Sequence, residues 1–324
     1  MGRNEIPIDR ILTMEIVRAT EHAAVAAARH RGRGDEQAAD RAAARAMLAE
    51  LNRLPLSGRI VVGEGERDET DILYVGQSVG TGEGDAFDIA VDALEGNTVC
   101  AKNLPNALTV AAVARRGCLL ATPSVYMQKI AIGPGYGADV IDLDATPADN
   151  LESLARAKGV RVSQITACIL DRPRHARLVE AVRKAGASIR LIGDGDVAGI
   201  IHAADPDETG IDIYLGSGSA PAGILAAAAL RCMGGQMQGR LILDTPGKFE
   251  RAAKLGIEDP KRVYRTEDMA RGDILFSATG VTEGSLLEGV RFRRGTVATD
   301  SLMMRSASGT VREIRARHRE PVED

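Results

Sequence analysis

A chain of 324 residues, 44% apolar and 27% charged, is too long for a small stapled module and too rich in apolar groups to remain unfolded. Forty-one basic against 45 acidic residues leave a net charge of −4, and nine Phe and Tyr without a single Trp offer neither the cationic field nor the stacking platforms of a nucleic-acid binder. Its uncharged apolar stretches fall short of the roughly 18 residues of a spanning helix, and the opening Met1-Gly-Arg-Asn-Glu-Ile-Pro lacks the apolar run of a secretory signal. A soluble, cytoplasmic protein without membrane or nucleic-acid partners is expected. Cys100, Cys118, Cys168 and Cys232 are far apart and form no Cys-x-x-Cys pair, so they read as small buried hydrophobes rather than zinc or redox groups.

In chain order, two Ala-rich helices are predicted over about Ile11 to Arg29 and Glu36 to Arg53, parted by Gly32-Arg33-Gly34. Short β-branched runs follow at Arg59 to Val62, Ile72 to Val75, Phe87 to Val91, Thr109 to Val113, Leu119 to Ala121 and Ile130 to Ile132, and these read as strands. After Asp144, helix and strand alternate. Thr146 caps a helix with Pro147 at its first position and Gly159 beyond its end. The strand Gln164 to Leu170, a helix from Pro173 to near Gly186, the strand Ser188 to Ile192, a helix after Asp194-Gly195-Asp196, the strand Ile211 to Leu215, a Gly-Ser loop and a helix over about Gly223 to Cys232 complete the alternation. Such alternation predicts a largely parallel sheet covered on both faces. Hairpin-like runs at Arg291 to Ala298 and Leu302 to Arg305 precede a charged tail from Arg317 that is expected to fray. The division expected is a metal-binding α+β half over 1–145 and an α/β half over 146–324, packed as one compact unit.

Chemistry concentrates in acidic segments. Gly63-Glu64-Gly65-Glu66-Arg67-Asp68-Glu69 follows an apolar run, and extended backbone would put Glu64, Glu66 and Asp68 on one face, about 7 Å apart. Crowded carboxylates of this kind suit Mg²⁺ or Mn²⁺ far better than zinc, although a hydrated acidic turn is the plainer alternative. Asp92 comes at the end of a strand with Glu95 a short turn later, beside Gly96. With Asp40 from the second helix, three segments supply carboxylates, as a two-metal phosphoryl site requires. Further on, Arg172-Pro173-Arg174 could clamp a phosphate, Asp194 and Asp196 could accept hydrogen bonds from sugar hydroxyls, and Gly216 to Gly223 resembles a phosphate cradle before a helix. Each also has a plain reading, as solvated arginines or a capping turn.

Taken together, Gly63-Glu-Gly-Glu-Arg-Asp-Glu, Asp92-Ala-Leu-Glu-Gly, Tyr126-Met-Gln-Lys129, Arg172-Pro-Arg-His175, Asp194-Gly-Asp-Val-Ala198 and Phe276-Ser-Ala-Thr-Gly-Val-Thr282 resemble, in order and spacing, the bacterial class II fructose-1,6-bisphosphatases. The resemblance runs from about Met14 to Arg312. It implies the layered α/β/α/β/α sandwich of the lithium-sensitive sugar and inositol phosphatases, a homo-oligomer, and Mn²⁺- or Mg²⁺-dependent removal of the 1-phosphate from fructose 1,6-bisphosphate. By the same likeness Asp40 and Glu64 would hold one cation and Asp92 and Glu95 another. Glu66, Asp68 and Asn97 would serve the attacking water. Glu95, Gly96, Asn97, Tyr126, Arg172, Pro173, Arg174, Asp194, Gly195, Asp196 and Ser219 would contact the sugar phosphate.

Departures from the family pattern fall at its chemical centre. Glu36 stands in place of a Lys, Asn97 in place of a Thr hydroxyl, Ser219 in place of a Gly, and Ala222 in place of a metal-binding Glu. A second reading is therefore a degenerate paralogue that binds a sugar phosphate or a partner with little turnover. A dinucleotide-binding module is disfavoured, because Pro221 occupies the place of the third fingerprint glycine.

Overall fold

The computed structural model describes residues 11–319. Its elements in chain order begin with α1 (Ile11–Ala28), α2 (Glu36–Leu51), β1 (Ser57–Val62), β2 (Ser78–Val79), β3 (Ala86–Glu95), α3 (Asn97–Ala101) and β4 (Leu108–Arg115). There follow β5 (Tyr126–Ile132), α4 (Pro147–Lys158), β6 (Thr166–Leu170), α5 (Ala176–Ala185), β7 (Ser188–Ile192), α6 (Asp196–Ala203) and α7 (Pro206–Thr209). The remainder comprises β8 (Ile213–Ser219), α8 (Ala220–Met233), β9 (Gln236–Leu241), α9 (Pro246–Lys254), β10 (Tyr264–Arg265), α10 (Thr266–Met269), β11 (Ile274–Gly280), β12 (Arg291–Arg293), β13 (Thr296–Arg305) and β14 (Thr310–Arg319).

Two compact units result, one of residues 1–119 with 272–324 and one of residues 120–271. This corrects the expected division at 145/146. The last strands do not build on the segment before them; they return to the first sheet. In that sheet the order is β12-β13-β11-β4-β3-β1-β2, with β14 also on β13. Only β1 and β3 run parallel; the other pairings are antiparallel. Ala19, Ala23, Ala27 of α1 and Ala39, Ala43 of α2 are fully enclosed with Ile89, Val91, Ala111 and Val113 of the sheet. Small side chains let the two helices lie close on that face.

In the second unit the order is β10-β9-β5-β8-β6-β7. Leu151 and Leu154 of α4 and Val182 of α5 share a core with Ile130, Ile169 and Ile213, while α6 and α8 pack on β5 and β8. The α4 ends were legible. Thr146 and Asp149 form a reciprocal cap, and Gly159 closes the helix in left-handed conformation at φ 72°. The sheet is mixed rather than largely parallel: β6 pairs parallel with β7 and β8, and the rest run antiparallel.

Four local expectations are corrected. Ile72 to Val75 is a loop, with buried Leu73 at φ 54°, because its polar groups pair with the neighbouring acidic loop instead of a strand. Leu119 to Ala121 carries only an isolated bridge at Leu119. Gly216 to Ser219 is strand, paired residue for residue with Tyr126 to Lys129. The tail from Arg317 belongs, as far as Arg319, to β14, which pairs with β13 along its length.

A polar seam runs under α1. Thr279 Oγ1 donates to Thr20 Oγ1 at 2.9 Å and lies 2.8 Å from Ser301 Oγ, and Thr109 Oγ1 donates to the Thr20 carbonyl at 2.8 Å. All are buried, so each hydroxyl depends on its neighbours. Thr279→Val would strand Ser301 Oγ and take one donor from Thr20 Oγ1, which keeps the Val17 carbonyl and Ser277 Oγ. We expect a loss of about 1–3 kcal/mol, read as a lower urea midpoint with an unchanged slope.

Candidate functional site

The first unit gathers acids from α2, the loop after β1, and the end of β3. Asp35 caps α2 through the Ala38 N–H at 2.9 Å, which fixes the register that brings Asp40 onto the helix one turn after exposed Glu36. Glu64 is placed by its backbone. Its N–H donates to the Leu73 carbonyl at 3.1 Å, and the Val75 N–H donates to the Gly65 carbonyl at 2.9 Å. A β-carbon at Gly63 would run into that Leu73 carbonyl, so glycine is required for the latch.

On β3, Asp92 faces Val110 and Glu95 faces Leu108, with a bulge between. Three residues on one strand thus match two on the other. The extra residue interrupts the strict alternation of faces between Asp92 and Glu95. Gly96 follows in left-handed conformation at φ 94° and starts α3, whose first residue is Asn97.

These groups feel one another. Burial pushes the Glu64 carboxyl well above its usual range, and the charges of Asp92 and Asp40 push it further, against a 2.8 Å hydrogen bond from the Ala93 N–H. Burial also raises Asp40, opposed by the Asn97 side chain, which donates to its carboxylate, and by Arg41. Asp40 Oδ1 and Asn97 Oδ1 are enclosed without a hydrogen-bond partner among the described residues. Of the predicted metal set Asp40, Glu64, Asp92 and Glu95, Glu64 feels the charges of both Asp40 and Asp92, while Glu95 is buried at the end of β3.

It is not a ready-made cage: among the described residues no three His, Cys, Asp or Glu side chains gather closely enough to hold a metal. The carboxylates turn instead to a backbone N–H and an amide, as repulsion demands. Their donor chemistry, oxygen only and anionic, with an orphaned carboxylate oxygen, fits a hard divalent cation. Glu66 and Asp68 do not continue an extended face with Glu64. Residues 67–69 form a turn, closed by the Glu69 N–H on the Glu66 carbonyl at 2.9 Å, and Asp68 is exposed on it.

The second unit holds the other candidates. Tyr126 is 48% exposed and lies opposite Ser219. The Arg174 guanidinium stacks on its ring, 4.9 Å from the centroid. Arg172 lies 3.6 Å from the Asp194 carboxylate, and Pro173 opens the short turn that carries Arg174. Gly195, at φ 81°, lets the chain enter α6, where Asp196 is buried and paired with Lys129. Asp196 is thus committed to a buried cation, whereas half-exposed Asp194 shares its looser pairing with Arg172.

The phosphate cradle expected at Gly216 to Gly223 is not formed. Strand geometry persists to Ser219, the Ala220 N–H donates to the Val125 carbonyl at 2.8 Å, and Pro221 has no N–H. Ala222 is buried in the first turn of α8. A cavity of about 330 Å³ is lined by Gln128, Asp142, Asn150, Arg174, His175 and Ser217.

Lys129, His175 and Ser217 were missed as site residues. The signal for Lys129 was a lysine between Met127 and Ala131 on the inward face of β5, which demands a buried partner. The signal for His175 was its place directly after the arginine pair.

Residues 10–318 match the family described as bacterial fructose-1,6-bisphosphatase, glpX-encoded. The chain belongs to this family. It is 43% identical over 323 residues to fructose-1,6-bisphosphatase 1 class 2 of Escherichia coli K12, covering 95% of each chain. The class 2 enzyme of Shigella flexneri matches to the same extent. Among solved structures, an extragenic suppressor protein SuhB from Bartonella henselae is 16% identical with a TM-score of 0.35, over 60% of this chain and 74% of that one. An extragenic suppressor from Pyrococcus furiosus is 13% identical with a TM-score of 0.30, over 60% and 69%.

Glu64 supplies a pH test. A carboxyl raised in the folded state favours the protonated form, so its contribution to stability is full below the unfolded value and is lost as pH climbs through the folded one. In chelator, Glu64→Gln is expected to match the wild type near pH 5 and to melt at increasingly higher temperature than it towards pH 8. Thermal unfolding across that range checks this; a difference independent of pH would refute the repulsion. Mn²⁺ at pH 8 should raise the wild-type Tm more than that of the variant.

Proposed function

We propose that this chain hydrolyses the 1-phosphate of fructose 1,6-bisphosphate, giving fructose 6-phosphate and phosphate, with Mn²⁺ or Mg²⁺ as cofactor. The observation that carries the reading is the acid cluster, with Glu64 under the charges of Asp92 and Asp40, in a chain 43% identical to a class 2 enzyme across 95% of both lengths.

Asp40, Glu64, Asp92 and Glu95 would hold the cations. Bound there, a divalent ion withdraws charge from the phosphoryl oxygens and acidifies a water. Glu66 and Asp68, on the turn directly after Glu64, are the groups to orient and deprotonate that water. Asn97 keeps Asp40 in place through its amide. Arg172 and Arg174 would take the sugar-phosphate oxygens, Tyr126 backs the Arg174 guanidinium, and Asp194 and Ser219 offer hydrogen bonds to sugar hydroxyls. No covalent phosphoenzyme is required. No observation favours the degenerate reading.

A phosphate-release assay with fructose 1,6-bisphosphate and Mn²⁺ or Mg²⁺ tests this. Turnover is expected in the wild type and a fall of about a hundredfold or more in a Glu66→Ala, Asp68→Ala double variant. Wild-type phosphate release no greater than that of the variant would overturn the proposal. Restoring the family pattern with Ala222→Glu and Asn97→Thr is expected to raise kcat, or lower the half-saturating Mn²⁺ concentration, by about tenfold. Unchanged kinetics would mean that the departures are tolerated.

A further inference from the structure

His175 takes no part in the chemistry above, yet its ring is 4% exposed and every polar atom on it is engaged. Nδ1 lies 2.8 Å from the Leu170 carbonyl, and Nε2 accepts the Ser217 N–H at 2.9 Å, with Ser217 Oγ 3.1 Å away. A backbone N–H can only donate. Nε2 must therefore be bare and Nδ1 must carry the proton, so a single neutral tautomer satisfies the site. Burial, and to a lesser degree the flanking charges of Arg174 and Arg172, disfavour the imidazolium, outweighing the pull of the Leu170 carbonyl. Gly216 completes the fit, since a β-carbon there would sit 3.2 Å from His175 Cε1.

Ser217, so pinned, holds Arg174. Its carbonyl accepts from Arg174 Nη2 at 2.8 Å and from Nε at 3.2 Å, and its hydroxyl lies 3.3 Å from Nε. One edge of the guanidinium is thereby used, and the face rests on Tyr126. A carbonyl fixes an arginine without neutralising it, whereas a carboxylate would do both. We infer that His175 is a positioning residue: by clamping the Ser217 peptide it sets the orientation of Arg174 and keeps that cation's full charge available to a phosphate-bearing ligand. This rests on reading Arg174 as a sugar-phosphate contact.

The test is a double-mutant cycle. His175→Ala is expected to raise KM for fructose 1,6-bisphosphate by about ten- to a hundredfold and to change kcat by less than about threefold, with no further rise in KM when introduced into Arg174→Ala. His175→Gln, whose amide oxygen can accept the Ser217 N–H, should recover more of the affinity than His175→Asn, and this pair replaces alanine if that variant does not fold. Additive effects of His175→Ala and Arg174→Ala, or a fall in kcat at constant KM, would overturn the inference.

Histidine ¹⁵N spectra of the wild type give a readout free of substrate. An unprotonated Nε2 at pH 7 supports the clamp, and a protonated one overturns it. Calorimetry with fructose 6-phosphate separates the two claims. A wild type that neither binds this product nor hydrolyses the bisphosphate sinks the functional reading, and the ¹⁵N result still decides the clamp.

Discussion

Repulsion among Asp40, Glu64 and Asp92 is the constraint around which the first unit is arranged. Like charges crowded into a half-buried site oppose folding unless something holds them, and here the holding is done by the backbone. The cap on α2, the latch between Glu64 and Leu73, and the bulge before Glu95 each fix one acid. None of these devices depends on the acids themselves. The strain is carried by a well-packed sheet and two alanine-rich helices, whose enclosed side chains stabilise the unit independently of the charges.

What could be read from the sequence was local. Helix ends with caps, such as Thr146 with Pro147 and Gly159, emerged within a residue or two, and the apolar runs of β1, β3, β4 and β5 lie where they were expected. Failures came where pairing partners are remote. Nothing near Gly216 reveals that Ser217 and Ser219 pair with Gln128 and Tyr126, so a strand read as a glycine loop. Likewise the charge of residues 310–319 concealed an antiparallel partner in β13, and strand–helix alternation suggested parallel pairing where β5 and β9 run antiparallel to their neighbours.

The site divides the same way. The proposed acids and arginines could be named from the sequence because the chemistry proposed for them demands particular side chains. Asp68 was misplaced because a turn, set by backbone hydrogen bonds, replaced the extended chain that periodicity assumed. Ser217 was invisible for a related reason: the group that matters most is its carbonyl, which every residue possesses. Of the departures from the family pattern, Asn97 has a visible local consequence, since its amide still donates to Asp40; Ala222 is simply buried.

Because the chain leaves the first unit after residue 119 and re-enters it at 272, the partner of β4 on one side lies far downstream, with Thr109 and Thr279 separated by 170 residues. During synthesis an apolar strand edge must wait while the whole intervening unit emerges from the ribosome. Unprotected edges invite pairing with other chains. A nascent polypeptide of this topology gains from early folding of the inserted unit, and from chaperone cover over Leu108–Arg115 until the returning strand arrives.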